Sequence, residues 1–178
     1  AAMPDSVDPA AGPVHLVVMG VSGSGKTTVA RVLVERLGWP LGEADDFHPP
    51  ANVAKMAAGV PLTDEDRWPW LRAIRDWMTD HAQAGRSTVV TCSALRRVYR
   101  DVLREASGRV VFAHLAADES VLRERLTHRS GHFMPASLLP SQLATLEPLA
   151  PHEAGVVLDA AASPDDLADQ ILEVLRER

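Results

Sequence analysis

Short apolar runs alternate along the chain with longer segments in which apolar residues recur every three or four positions. The short runs predict β-strands, and the longer segments predict helices. The predicted strands are residues 15–19, 41–44, 87–92, 109–115 and 155–159. The predicted helices are residues 26–37, 50–58, 65–84, 96–106, 118–129, 136–146 and 164–177. This order is typical of an α/β fold in which helices cover a parallel sheet.

The length and apolar content of the chain predict one domain. Its 178 residues, of which 46 % are apolar, suffice for one hydrophobic core and are few for two. We expect residues 14–178 to form this domain. The preceding AAMPDSVDPAAGP carries no apolar stretch, so we expect residues 1–13 to form a flexible tail.

Charge and composition exclude several functional classes. The net charge of -6 disfavours a surface for nucleic acid, which is normally basic. No apolar run approaches the ~20 residues that span a bilayer, so we expect no membrane partner. Cys92 is the only cysteine, which excludes an internal disulfide and fits a cytoplasmic protein.

The most specific motif is GVSGSGKT, residues 20–27, which satisfies G-x-x-x-x-G-K-[ST] between a predicted strand and a predicted helix. Such a loop aims backbone N–H groups at phosphate oxygens, with the positive end of the helix behind them. Lys26 would reach the β- and γ-phosphates, and the Thr27 hydroxyl would bind Mg²⁺ directly. The predicted nucleotide-binding residues of this loop are Gly20, Ser22, Gly23, Ser24, Gly25, Lys26, Thr27 and Thr28.

A phosphate loop alone does not separate a small-molecule kinase from a GTPase-like switch. A switch needs an N-K-x-D base reader and a D-x-x-G segment, and neither occurs in the sequence. An ATP-binding regulatory or motor domain usually has an acidic residue at the end of the strand that holds the magnesium water. Predicted strand 87–92 instead ends in Thr91 and Cys92, and Ser93 follows. The sequence therefore favours an ATP-dependent kinase, with a non-catalytic regulatory domain as the alternative from another class.

Two arginines predict a mobile lid. Arg125 and Arg129 lie four residues apart at the end of predicted helix 118–129, and the glycine-containing SGHFMPAS follows. The arrangement resembles the lid of nucleoside-monophosphate kinases, which closes over the nucleotide and delivers arginines to the transferred phosphoryl group. We predict a lid at about residues 126–140, with both arginines catalytic and Arg125 also binding ATP. The alternative is that they only complement the helix dipole.

The acidic stretch EADDFHP, residues 43–49, follows the second predicted strand. Side chains alternate along a strand, so Glu43 and Asp45 are predicted to face the site and Asp46 to face away. Asp45 would accept a proton from a substrate hydroxyl, and Glu43 would act on Mg²⁺ in its second shell, through water. Asp46 is predicted to be a surface acid that caps the next helix.

Five blocks of the sequence together resemble a gluconokinase of the phosphate-loop type over residues 14–159. The blocks are GVSGSGKT, DFHPPANVAKMAAGVPLTDEDRWPWL, CSALRRVYRDVLRE, RLTHRSGHFM and SQLATLEPL. The resemblance implies transfer of the ATP γ-phosphate to the 6-hydroxyl of D-gluconate, with Mg²⁺, commonly in a cytosolic homodimer. It also implies a three-layer, shikimate-kinase-like fold with a five-stranded parallel sheet in the order 2-3-1-4-5. Shikimate kinase, or another small-polyol kinase, is the near alternative, although TCSALR replaces the glycine-rich stretch of shikimate kinases.

The resemblance also implies which residues bind the acceptor. The family pattern D-x-x-H-P matches Asp45, His48 and Pro49, which favours Asp45 over Asp46 as the base. A substrate-binding insert is implied at about residues 46–70. The implied substrate-binding residues are Asp45, His48, Lys55, Arg67, Arg96, Arg100, His132 and Gln142. The one departure noted is Glu43, where an aspartate is common.

The chemistry of the acceptor agrees with this set, although each residue has a structural alternative. Gluconate is an anionic polyol, which needs arginine for its carboxylate and hydrogen-bonding groups for its hydroxyls. The alternatives are pairing of Arg67 with Asp64 or Asp66, packing of Arg96 at a helix start, bridging of Arg100 to Asp101 or Glu105, and loop packing of His48. The sequence does not decide which arginine binds the carboxylate.

Overall fold

The computed structural model describes residues 12–20, 25–60, 62–92, 94, 96–116, 146–150 and 155–176. The described strands are β1 (Val14–Met19), β2 (Leu41–Glu43), β3 (Thr88–Thr91), β4 (Arg109–Ala116) and β5 (Gly155–Asp159). The described α-helices are α1 (Lys26–Leu37), α2 (Pro50–Ala57), α3 (Asp64–Gln83), α4 (Arg97–Arg104) and α5 (Pro164–Arg176). A short 3₁₀-helix, Ala44–Phe47, follows β2. The predicted helices 118–129 and 136–146 lie outside the described residues.

The five described strands form one parallel sheet in the order β2-β3-β1-β4-β5. The predicted α/β class and strand order are therefore confirmed. β1 lies in the middle, and all six of its residues are buried. Because the strands are parallel, their carboxyl ends share one edge of the sheet, where ligands bind in open α/β folds.

Helices pack on both faces of the sheet and make two hydrophobic clusters. One cluster joins the sheet to α1 and α5 and includes Leu16, Val29 and Ile171. The other joins it to α3 and α4 and includes Ile74 and Leu103. Burial of each such side chain contributes about 1.5–3 kcal/mol. The result is the predicted three-layer arrangement.

The second predicted strand is shorter than expected. It ends at Glu43, and the chain then turns into the 3₁₀-helix, so strand alternation does not apply to Asp45 or Asp46. The argument from strand alternation therefore fails, and a common orientation of Glu43 and Asp45 toward the site stays a prediction. A tertiary contact explains the turn, because the Trp70 indole N–H donates to the buried Ala44 carbonyl at 2.7 Å.

The N-terminal segment joins the folded domain at Pro13. The Pro13 carbonyl accepts a hydrogen bond from the Arg109 N–H at 3.0 Å, so Pro13 already belongs to the folded domain. The rest of the predicted tail, except Gly12, lies outside the described residues. Within the described part of the chain, no helix is both long and apolar enough to cross a membrane.

Candidate active site

The phosphate loop connects the central strand to α1. Gly20 follows β1 with φ +149° and Gly25 precedes α1 with φ +95°, backbone conformations that glycine adopts readily. Lys26 is the first residue of α1, and its Nζ donates to the Gly20 carbonyl at 2.9 Å. Thr27 and Thr28 follow in the first turn of α1, at the positive end of its dipole. Ser22, Gly23 and Ser24 lie outside the described residues.

These residues fit a nucleotide with magnesium. Two glycines with positive φ let the loop curve around phosphate groups, and the lysine and threonine stand where the helix dipole favours an anion. Thr27 supplies a hydroxyl for Mg²⁺, which usually keeps several waters and few protein ligands. Among the described residues, no group of three or more His, Cys, Asp or Glu side chains is placed to hold a metal. ATP and Mg²⁺ are the cofactors that this arrangement accepts.

The acidic stretch lies at the carboxyl edge of the sheet. Glu43 is the last residue of β2, pairs in register with Thr91 of β3 and is partly buried. Asp45 lies two residues further on, in the 3₁₀-helix. Asp46 is exposed, as predicted for a surface acid, but it does not cap the next helix, because the N-cap of α2 is Pro49 and no side chain caps it. The second-shell role of Glu43 and the catalytic role of Asp45 stay predictions.

His48 lies on a rigid support. Its ring stacks on Trp70 with centroids 4.1 Å apart and planes 13° apart. Its Nδ1 lies 3.2 Å from the Asn52 side-chain nitrogen. Burial, with a smaller effect from the positive charge of Arg67, lowers the pKa of His48 to about 4. The imidazole is therefore neutral at neutral pH, which suits a hydrogen-bonding group.

The low pKa of His48 predicts a pH dependence of stability. The unfolded chain takes up a proton on this ring below its ordinary pKa of 6.5, whereas the folded protein does so only near 4. Stability present above pH 6.5 is therefore lost as the pH falls toward 4. We expect His48→Gln to lose less stability than the wild type between pH 7 and pH 5, by about 1 kcal/mol after allowing for solvent screening. Urea unfolding at both pH values measures this, and equal losses would contradict the assignment.

Lys55 connects α2 to the start of α3. Its Nζ donates to the Asp66 carboxylate at 2.7 Å, and the Thr63 backbone N–H donates to the same oxygen at 2.9 Å. The Lys55 hydrogen bond, with that from Thr63, lowers the pKa of Asp66 to about 2. In this structure Lys55 is thus part of an ion pair, and its predicted contact with substrate stays a prediction.

An open cleft of about 500 Å³ lies where the N-termini of α3 and α4 meet. The Tyr99 hydroxyl is the centre of a hydrogen-bond network in this cleft. Arg67 donates to the Tyr99 hydroxyl at 2.9 Å, and that hydroxyl donates to the Asp64 carboxylate. Arg96 donates to the other Asp64 oxygen at 2.6 Å. The cleft is lined by Leu62, Thr63, Asp64, Arg67, Arg96, Tyr99, Leu146 and Glu147.

The charges in this cleft are distributed unevenly. Hydrogen bonds from Tyr99 and then Arg96 lower the pKa of Asp64, while burial and Asp64 raise the pKa of Tyr99. Asp64 is therefore ionised and neutralises Arg96. The described hydrogen-bond partner of Arg67 is a neutral phenol. The predicted alternative, in which Arg67 forms an ion pair with Asp64 or Asp66, is wrong, although the positive charge of Arg67 contributes to the lowered pKa of Asp64.

Arg100 does not lie with the exposed arginines. Its side chain is fully buried, and its guanidinium donates to the Ala94 carbonyl at 2.8 Å and the Pro148 carbonyl at 3.3 Å. Ala94 has φ +45°, a left-handed conformation that costs a non-glycine residue about 1–2 kcal/mol. The predicted surface bridge from Arg100 to Asp101 or Glu105 is therefore wrong, whereas its predicted contact with substrate stays a prediction. The described contacts of Arg100 stabilise the turn between β3 and α4.

We expect Arg100→Leu to lower the free energy of unfolding by about 2–3 kcal/mol, because it leaves buried carbonyl groups without their donor. Arg104→Leu is the matched control, since Arg104 lies one turn further along α4 in a surface ion pair with Asp101 and should cost under about 1 kcal/mol. Chemical denaturation compares the two. A stable Arg100→Leu variant with weakened acceptor binding would contradict this structural role and favour the predicted contact with substrate.

Several predicted residues lie outside the described part of the chain: Arg125, Arg129, His132, Gln142 and the whole predicted lid, about residues 126–140. Sequence reasoning also missed two residues that the structure includes. Asn52 is buried beside His48, and Asp64 holds Arg96 and Tyr99. The spacing of Arg96 and Tyr99, three apart at a helix start, was the available signal for their proximity, but nothing local pointed to Asp64 as the partner of these two residues.

A phosphate loop after the central strand and an arginine-lined cleft at the same edge of a 2-3-1-4-5 sheet define a phosphate-loop kinase. A family model described as an AAA domain matches residues 16–149. A gluconokinase from Gluconobacter oxydans is 51 % identical over 160 residues, which cover 90 % of this chain and 90 % of that protein. The chain belongs to the gluconokinase family, and the resemblance seen in its sequence is confirmed.

Solved structures agree with this assignment. A sugar kinase from Janibacter sp., solved without ligand, superposes with a TM-score of 0.88 at 56 % identity, covering 92 % of this chain and 94 % of that one. A gluconokinase from Sinorhizobium meliloti superposes with a TM-score of 0.82 at 48 % identity, covering 93 % of each chain. The predicted fold and the predicted kinase class of enzyme are confirmed.

Proposed function

We propose that the protein transfers the γ-phosphate of ATP to the 6-hydroxyl of D-gluconate, giving 6-phospho-D-gluconate. The observation that carries this proposal is its similarity to a gluconokinase over nine-tenths of both chains. The cleft agrees with it chemically, because an anionic polyol needs a positive charge beside hydrogen-bonding groups. Tyr99 and Arg67, whose guanidinium donates to a neutral hydroxyl and to no carboxylate among the described residues, provide both.

The phosphate loop and the acidic stretch would carry out the transfer. ATP would supply the phosphoryl group, and the positive charge of bound Mg²⁺ would offset the negative charge of the phosphate oxygens. Lys26 would hold the phosphate oxygens, Thr27 would offer its hydroxyl to the metal, and Glu43 would orient a metal-bound water. Asp45 would accept the proton of the acceptor hydroxyl and hold its oxygen in line for attack.

Arg67 is our choice for the gluconate carboxylate. Its guanidinium can bind a carboxylate in two-pronged geometry, and its described hydrogen bond goes to a neutral hydroxyl. Arg96 is a weaker choice, since Asp64 already neutralises it at 2.6 Å. His48, Tyr99 and Gln142 would bind hydroxyls, and Lys55 and His132 are the other predicted contacts with the acceptor. Arg125 and Arg129 would neutralise the phosphoryl group when the lid closes.

We further propose a cytoplasmic homodimer that acts without nucleic acid or membrane partners. The family resemblance supports the dimer, and the net charge of -6 supports the absence of a nucleic-acid surface. Sedimentation at several concentrations tests the dimer directly. A single monomer species at every concentration would contradict it.

A coupled ADP-release assay on a panel of acceptors tests the function. Gluconate, shikimate, glycerate and nucleoside monophosphates are each supplied with ATP and Mg²⁺. We expect turnover with gluconate, in the range of ~1–100 per second that is usual for kinases. Release with shikimate or glycerate alone would favour another small-polyol kinase. No acceptor-dependent release at all would favour a non-catalytic nucleotide-binding domain.

A further inference from the structure

Asn52 links the start of α3 to His48. It lies on α2, and its side chain is buried, with 3 % of its surface exposed. Its side-chain nitrogen lies 2.8 Å from the Asp66 carbonyl oxygen and 3.2 Å from His48 Nδ1. One amide nitrogen therefore contacts two groups that belong to different elements of the site.

The Asp66 carbonyl determines which way the Asn52 amide points. A backbone carbonyl can only accept hydrogen bonds, so the atom 2.8 Å from it is the amide nitrogen and not the amide oxygen. That nitrogen carries two hydrogens, and the second one faces His48 Nδ1. Nδ1 must then be an acceptor without a hydrogen. In a neutral imidazole the hydrogen is consequently on Nε2.

The surroundings of His48 keep the ring neutral and in place. Trp70 stacks on its face, and Arg67 is the charged group that acts on it. The nearby Asp66 carboxylate is tied to Lys55 and Thr63. Among the described residues, none accepts a hydrogen bond from Nε2. His48 thus presents one N–H donor from a fixed ring.

We propose that Asn52 is a positioning residue that fixes His48 as an Nε2–H donor, and that this donor binds a hydroxyl oxygen of the sugar-acid acceptor. The identity of the acceptor rests on the proposed function, whereas the tautomer does not. A donor of this kind recognises a polyol but cannot take a proton from it. Asp45 then remains the group for proton removal, and His48 acts in acceptor selection.

The tautomer is measured on the protein alone. In ¹⁵N-histidine-labelled protein, the two-bond ¹H–¹⁵N correlations that disappear in His48→Gln identify the His48 ring. We expect the Nε2–H form in the wild type at pH 7. In Asn52→Asp, the new carboxylate accepts from Nδ1, so we expect Nδ1 to become protonated. Val53→Asp adds the same charge at an exposed position of α2 and should leave the wild-type pattern. An Nδ1–H ring in the wild type would overturn the proposal.

Kinetics test the role of the donor. Asn52→Asp and His48→Leu should each raise the KM for gluconate roughly tenfold, the usual effect of one lost hydrogen bond in a site, with the KM for ATP unchanged. His48→Gln places an amide N–H where Nε2–H stood and should stay within about threefold of the wild type. It keeps the test valid if Asn52→Asp does not fold. An equal loss in His48→Gln and His48→Leu, or a changed tautomer without a change in KM, would overturn the positioning role.

These measurements separate the two proposals. If the panel assay identifies another acceptor, the KM comparison is made with that acceptor. If gluconate is not phosphorylated but another acceptor is, the proposed function is contradicted. The assignment of the His48 tautomer is then still tested by the NMR spectra, which do not depend on the acceptor.

Discussion

Asp45→Asn is expected to abolish turnover while leaving ATP binding nearly intact. The amide has the size of the carboxylate but cannot accept the proton of the attacking hydroxyl. Loss of a positioned acid–base group usually costs ~10²–10⁴ in rate. The phosphate loop holds the nucleotide on a separate element, between β1 and α1, so its affinity should change little. Coupled ADP release gives the rate, and calorimetric titration with ATP gives the affinity.

Asp46→Asn is the matched control for that experiment. Asp46 is the next residue of the same 3₁₀-helix, it is exposed, and the substitution makes the same change of charge. We expect its rate to stay within about twofold of the wild type, since surface substitutions have small effects. Full activity in Asp45→Asn, or a loss confined to Asp46→Asn, would show that the base is assigned to the wrong residue.

Much of the fold could be predicted because its signals are local. Helix α1 begins and ends where the sequence predicts, since Lys26 follows the glycine loop and Gly38, in a left-handed conformation, terminates the helix. The central strands are apolar runs between turn residues, and their order follows from the family. The 3₁₀-helix after β2 could not be predicted, because Trp70, 26 residues away, binds the Ala44 carbonyl.

In the candidate site, too, the parts that are local in sequence could be predicted and the tertiary contacts could not. The phosphate loop is contiguous in sequence, and its position between β1 and α1 could be inferred directly. The arginine contacts depend on tertiary neighbours: Arg96 and Asp64 are 32 residues apart in sequence. Sequence proximity suggested the wrong partners for Arg67 and an exposed position for Arg100. A buried guanidinium that holds a left-handed alanine has no local signature.

Lys26→Met is expected to lower kcat by ~10²–10³, the usual effect of removing one preorganised donor that stabilises transition-state charge. The methionine keeps an unbranched, flexible chain but has no ammonium group to neutralise the γ-phosphate as it is transferred. The fold should tolerate the change, because a single hydrogen bond such as that from Lys26 to Gly20 usually contributes only about 0.5–1.5 kcal/mol. Rates from ADP release and unfolding curves from urea measure the two effects separately.

Arg31→Met controls for the loss of one positive charge on α1. Arg31 is exposed, roughly one and a half turns further along the helix, and no phosphate would contact it there. Screening at physiological salt confines the effect of such a surface charge to within roughly 8 Å. We therefore expect Arg31→Met to retain turnover within about twofold. Comparable losses in the two variants would mean that the overall charge of the helix matters and that the ammonium group of Lys26 has no special place in the reaction.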